Sequence, residues 1–164
     1  HVWDTLWDAG QPIGVAAMGV GAQDSLRLEK GYRLWGAELH TEYNPYEAGT
    51  GFAVRLRKGD FIGRQALLRA RETGPSRRLC CLALQDRTRV VMGNEPLLDG
   101  DRVLGHVTSA DYGYTVGQSI VYGYLPVEYA REGVTVDVLY FGERYLATVV
   151  PEPLYDSANA RLRS

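Results

Sequence analysis

From residue 76 to residue 150 the sequence is written almost entirely in strand-length pieces, and this limits the available folds more than any other feature. Residues 79–84 are a short apolar run, and residues 94–98 lead into Asp99-Gly100, a tight-hairpin pair, from which residues 102–108 return. Residues 109–117, rich in Gly and Tyr, read as a loop. Residues 119–124 are apolar again and stop before Pro126. Val134, Val136, Val138 and Tyr140 alternate with Thr135, Asp137, Leu139 and Phe141; Gly142-Glu143 turns the chain and residues 144–150 pair back. About six short strands with regular turns predict a small closed antiparallel barrel or a compact sandwich. Residues 151–164 read as an irregular tail.

Before Pro75-Ser76 helix and strand signals mix, so the chain divides into residues 1–75 and 76–164. Val2, Trp3, Leu6 and Trp7 recur at helical spacing; Gly10 ends that helix and Gln11-Pro12 forbids its continuation. The two Trp are expected in the core. Residues 13–20 are apolar and Gly-punctuated and suggest a short buried strand or extended segment. A second helix is expected over residues 22–30, ended by Gly31, and residues 36–51 read as an ordered loop. Phe52, Val54 and Leu56 alternate with Ala53, Arg55 and Arg57 in a strand pattern, and a third helix is expected over residues 63–72, closed by Gly74-Pro75. The fold class is therefore α+β.

Residues 24–36 place Arg27, Glu29, Lys30 and Arg33 among Leu26, Leu28, Leu34 and Trp35. Charges in a partly buried segment need partners, because desolvation costs about several kcal/mol per ion. Arg27 and Glu29 satisfy each other in one reading; in the other a polar ligand shares Tyr32 and its neighbours. The net charge of -2 gives no reason to expect nucleic acid or an anionic membrane, and no apolar run is long enough to span one. His1, His40 and His106 are scattered and Cys80-Cys81 has no spaced second pair, so no metal set is expected. His106, Ser109 and Asp111 fall close together, but a triad is defined in space rather than by local order. With 11 Tyr and 3 Trp, a ligand pocket lined by Tyr, Trp, Arg and Glu would suit a flat, anionic, aromatic molecule. Two adjacent cysteines point away from disulfide use and toward a reducing compartment.

Residues 21–29 (Gly-Ala-Gln-Asp-Ser-Leu-Arg-Leu-Glu), 43–49 (Tyr-Asn-Pro-Tyr-Glu-Ala-Gly) and 61–67 (Phe-Ile-Gly-Arg-Gln-Ala-Leu) resemble the aminomethyltransferase family of the glycine cleavage T-protein. Residues 105–109, 122–126, 153–156 and 161–163 resemble its C-terminal barrel and chain end. The variant Glu29-Lys30-Gly31-Tyr32-Arg33 with Trp35-Gly36 is similar to the folate-binding C-terminal part of dimethylglycine dehydrogenase and oxidase and of sarcosine dehydrogenase.

The resemblance implies a partial α/β folate-binding subdomain over residues 1–75, followed by the family's small antiparallel β-barrel over residues 76–164. It implies tetrahydrofolate as cofactor, with FAD only in an associated domain absent from this chain. The flavin part oxidises an N-methyl amine such as dimethylglycine or sarcosine, and the folate part captures the one-carbon unit as 5,10-methylenetetrahydrofolate. The partners expected are upstream folate-binding and flavin-binding segments and the methylated amine. The compartment is cytoplasmic, or the mitochondrial matrix in a eukaryote. The family's catalytic aspartate and pterin-binding glutamate fall before His1, which starts the chain as if cut within a domain, so no catalytic residue is assigned and the chain alone is expected to be inactive. Tyr32 matches an aromatic folate-contacting position. Gln23 stands where T-proteins carry a folate-contacting Arg, and Arg161 falls near a C-terminal contact position. Arg27 and Glu29 match as ions bracing the pocket. A tRNA-modification folate protein is disfavoured, since Lys58-Gly59-Asp60-Phe61 lacks that protein's Cys; a non-catalytic folate-binding, structural or assembly module is the alternative.

Overall fold

The computed structural model describes residues 1–163. Six antiparallel strands close a barrel: β1 (Arg77–Leu84), β2 (Pro96–Asp99), β3 (Arg102–Gly113), β4 (Gln118–Pro126), β5 (Thr135–Tyr140) and β6 (Glu143–Val150), paired in the order β1-β4-β3-β2-β5-β6 and back to β1. Closure leaves no strand edge unpaired. The period-two pattern does the sorting. On β1, Cys80, Leu82 and Leu84 point into the barrel with Val121 and Leu125 of β4, Leu97, Val107, Val138 and Val149. Leu79 and Cys81 of β1, with Ile120, Tyr122 and Tyr124 of β4, form a second apolar cluster outside it. Each Leu or Val so buried contributes about 1.5–3 kcal/mol against exposure.

β3 runs five residues past its expected end. Its first half pairs with β2 and its second half with β4, and a register shift between Val107 and Ser109 lets it bend from one to the other. The Gly/Tyr-rich loop expected over 109–117 is therefore confined to 114–117. The two hairpin turns each sit one residue from their expected places. Gly100-Asp101 joins β2 to β3, and Phe141-Gly142, both at positive φ, joins β5 to β6.

Ahead of the barrel lie three helices, α1 (Val2–Gly10), α2 (Val20–Glu29) and α3 (Arg64–Thr73), with 3₁₀ turns at Gln11–Ile13 and Gly51–Ala53. α2 ends on Gly31 at φ 71°, where Tyr32 N–H donates to Arg27 O (2.8 Å) and Gly31 N–H to Leu28 O (3.1 Å), the double bond of a glycine-terminated helix. Its residues Ser25, Leu28 and Glu29 are buried against the outer cluster.

Three expectations fail here. Residues 13–20 form no strand and are exposed throughout. Residues 52–57 form a 3₁₀ turn and irregular chain instead of a strand; alternation needs a sheet edge to join, and the closed barrel offers none. Trp3 and Trp7 stack on each other at 5.9 Å, but Trp3 is 64% exposed and Trp7 only partly covered, so neither is a core residue. Among the described residues no helix is long and apolar enough to cross a membrane.

Candidate functional site

α2 is fastened to the barrel by charges whose partners lie far along the chain. Arg27 pairs with Glu38 (Nη1–Oε2 3.0 Å) and Asp24 (3.2 Å), and donates to Ser109 Oγ on β3 (2.6 Å). Glu38 is fully buried. It also accepts from Leu34 N–H (2.9 Å) and from the Thr108 hydroxyl (2.8 Å), so its desolvated carboxylate is bonded on both oxygens. Glu29 is not Arg27's partner, as the sequence suggested it could be. It turns the other way and accepts the backbone N–H groups of Thr115 (2.6 Å) and Val116 (3.2 Å) through Oε1, closing the β3–β4 turn onto the helix. Both ions brace the structure, through separate partners. Ser109 is consumed by Arg27 and its neighbour His106 is exposed, so the structure assembles no His106–Ser109–Asp111 triad.

A second fastening shares Glu38 with the first. The stretch 43–47 packs its aromatic ring on the barrel: Tyr43 stacks on Tyr124 at 3.6 Å, Arg77 lies over Tyr43, and Tyr124 donates its hydroxyl to Glu38 O (2.8 Å). Burial pushes the Tyr43 and Tyr124 phenols above the ordinary tyrosine range.

The end of α2 and the chain tail enclose the candidate pocket. A cavity of about 530 Å³ is lined by Gly31, Tyr32, Arg33, Thr50, Phe52 and Pro153 among others. A smaller one of about 320 Å³ is lined by Glu29, Tyr155, Asp156, Arg161 and Leu162. Lys30 and Tyr32 line both. The tail is held by Lys30, which donates to Asp156 Oδ2 (2.9 Å) and to its carbonyl (2.6 Å), and by Tyr155 N–H on Glu29 O (3.0 Å). Lys30 and the Ala160 N–H hold the Asp156 carboxyl below the usual carboxylate range, the Lys30 hydrogen bond first. Arg33 bonds both Glu152 and the carbonyl of Gly31. Behind Gly31, Tyr122 is buried with its hydroxyl unpartnered, and burial pushes that phenol far up. At this position a Cβ would lie 3.4 Å from both Pro153 and the Tyr122 hydroxyl, and the positive φ already disfavours one.

The structure thus brings Tyr32, 56% exposed, and Arg161 to one cavity, where Arg161 lies over the Tyr155 ring. Gln23 is elsewhere: it is exposed on the first turn of α2 and lines none of these walls. The residues that sequence reasoning missed are Glu38, Glu152 and Asp156. Glu38 lay in a stretch read only as loop, and Lys30 and Asp156 are 126 residues apart, a separation that no local pattern reports. Among the described residues no group of three His, Cys, Asp or Glu is placed to hold a metal ion.

The glycine cleavage T-protein C-terminal barrel domain family matches residues 77–156, and the GCVT N-terminal domain family matches residues 1–58. The chain belongs to the aminomethyltransferase family of the glycine cleavage T-protein. It is 38% identical over 163 residues to mitochondrial dimethylglycine dehydrogenase of Mus musculus, covering 99% of this chain and 19% of that protein. It is 40% identical over 161 residues to an aminomethyltransferase of Symbiobacterium thermophilum, covering 98% and 43% respectively. The crystal structure of the glycine cleavage system aminomethyltransferase T from Bartonella henselae matches with a TM-score of 0.86 at 29% identity, over 94% of this chain and 45% of that one. The chain spans under half the length of these relatives.

Proposed function

We propose that residues 1–164 are the C-terminal portion of a tetrahydrofolate-dependent aminomethyltransferase module, with residues 1–75 belonging to its α/β folate-binding domain and residues 76–164 forming its barrel domain. In this reading the module captures the one-carbon unit released by oxidative N-demethylation of an amine such as dimethylglycine or sarcosine. The carrying observation is the double cavity shared by Lys30 and Tyr32 at the end of α2. A half-exposed ring offers a stacking face for a flat molecule, on walls where Lys30 is paired with Asp156 and Arg33 with Glu152. A volume of about 530 Å³ falls in the range of small-molecule sites.

Tetrahydrofolate supplies the nitrogens that accept the carbon, giving 5,10-methylenetetrahydrofolate and the demethylated amine. This chain's residues orient and enclose. Tyr32 stacks on a ring, Lys30 and Arg33 hold the tail of the chain over the cavity, and Arg27–Glu38 keeps α2 in register with β3. Gln23, exposed on the first turn of α2, lines neither cavity and is assigned no ligand contact. The catalytic groups, and the flavin that would generate the one-carbon unit, belong in this reading to other segments of a longer polypeptide or to partner subunits, in the cytoplasm or in the mitochondrial matrix.

Calorimetric titration of tetrahydrofolate into the 164-residue chain and into the longer polypeptide tests this. Binding by the longer form that Tyr32→Ala weakens by about tenfold is expected. Formation of methylenetetrahydrofolate by the 164-residue chain alone would overturn the split-site reading, and absence of binding in both forms would point to a structural or assembly module.

A further inference from the structure

On the far side of the Gly51–Ala53 turn lies a cavity of about 500 Å³ with a different wall. Arg55, Arg57, Lys58 and Arg71 line it together with Tyr46, Gly51, Val54 and Leu56, and no acidic residue does. The charge is concentrated here: residues 55–71 hold six cations and one carboxylate, in a chain whose net charge is -2. Elsewhere several arginines are anchored by carboxylates, as Arg27, Arg33, Arg77, Arg102 and Arg144 show. Among the described residues none of the four cations here forms an ion pair. Arg55 gives one N–H to Phe52 O (2.8 Å), and Lys58 sits over the Phe61 ring at 4.6 Å. The guanidinium forks of Arg57 and Arg71 are uncommitted. The Tyr46 hydroxyl is buried with no hydrogen-bond partner, and its ring fills the space beside Gly51, where a Cβ would come within 3.0 Å of it. An unused phenol donor and two unused planar forks around one cavity are a donor set without an acceptor.

We propose that this cavity binds a small multiply charged oxyanion, carrying carboxylate or phosphate groups, through the Arg57 and Arg71 forks, Arg55 and Lys58. The anion relieves the mutual repulsion of the four cations, and each fork takes two of its oxygens. This site is independent of the tetrahydrofolate reading: it shares no lining residue with the cavities at Tyr32.

The test is calorimetric titration of the intact protein with pyrophosphate and, separately, with tricarballylate, repeated for Arg57→Gln/Arg71→Gln. One site per chain is expected for at least one probe, weakened about tenfold or more in the double variant with the thermal midpoint unchanged. Binding of pyrophosphate alone identifies a phosphate-bearing ligand, and of tricarballylate alone a polycarboxylate. Binding of neither probe, or equal binding by the double variant, overturns the proposal.

Discussion

The barrel and the residues ahead of it are stabilised by different means. In the barrel every strand is paired on both sides and the interior is packed with Leu, Val, Cys and Ala side chains. Ahead of it α1 and α3 bury only Gly10 between them. What order the front segment has comes from α2 and the 43–48 stretch, and these are attached to the outside of β1, β3 and β4 through Leu28, Ala48, stacked tyrosines and a few polar contacts such as Arg27 on Ser109 and Lys30 on Asp156. A closed hydrogen-bond ladder around an apolar interior stands alone. A segment held by ions and stacked rings depends on each of them.

The sharpest way to break that contrast is at Glu38. Replacing Glu38 with Ala leaves the Arg27 guanidinium, 12% exposed, facing buried Ser109 with only the partly exposed Asp24 as a carboxylate partner, and a loss of about 3–5 kcal/mol is expected in urea unfolding. Arg27→Met/Glu38→Gln should recover much of it; failure to do so would mean that the shape of this ion pair, rather than its charge, is what α2 needs. Next comes the barrel interior. Leu97→Ala on β2, fully buried, should cost about 2–5 kcal/mol, and a smaller loss would show an interior able to collapse around the gap.

The third test is pH. Burial pushes the Cys80 and Cys81 thiols up to about 12 from an ordinary 9.0. Above pH 9 the unfolded chain gives up thiol protons that the folded chain keeps, so the unfolded state binds fewer protons and stability falls as pH rises from about 9 toward 12. The slope should be about 1 kcal/mol per pH unit per thiol between pH 9 and 10, read from urea midpoints, and should flatten in Cys80→Ala/Cys81→Ala. The smallest effect belongs to α1. Leu6→Ser, at a position 66% exposed, should shift the stability of the 164-residue chain by less than about 0.5 kcal/mol. A larger loss in a longer polypeptide would show that another segment covers α1.

Legibility in the sequence followed the range of each interaction. Helix ends at Gly31 and Gly74 were readable because a glycine stop is local; Gly10 is itself helical, and the left-handed glycine beyond α1 is Gly14, after the Gln11–Ile13 turn. The strands were readable because alternation is local too. Residues 52–57 show the limit of that signal: the pattern is present, but a strand also needs a neighbour. β3 beyond residue 108 shows the reverse, since Tyr112 and Gly113 look like part of a loop until β4 pairs with them. In the candidate pocket Tyr32 and Arg161 were named by family resemblance, whereas Glu38, Glu152 and Asp156 were invisible because their partners lie 11 to 126 residues away.

Cys80 and Cys81 are neighbours in sequence, yet one belongs to the barrel interior and the other to the layer outside it. Each is therefore a clock for a different opening. Alkylation of Cys80 counts the moments when the ladder itself parts, while alkylation of Cys81 also counts those when α2 and the 43–48 stretch lift away from an intact barrel. A single peptide bond separates two probes of local unfolding, and the ratio of their labelling rates measures how often the front segment moves without the rest.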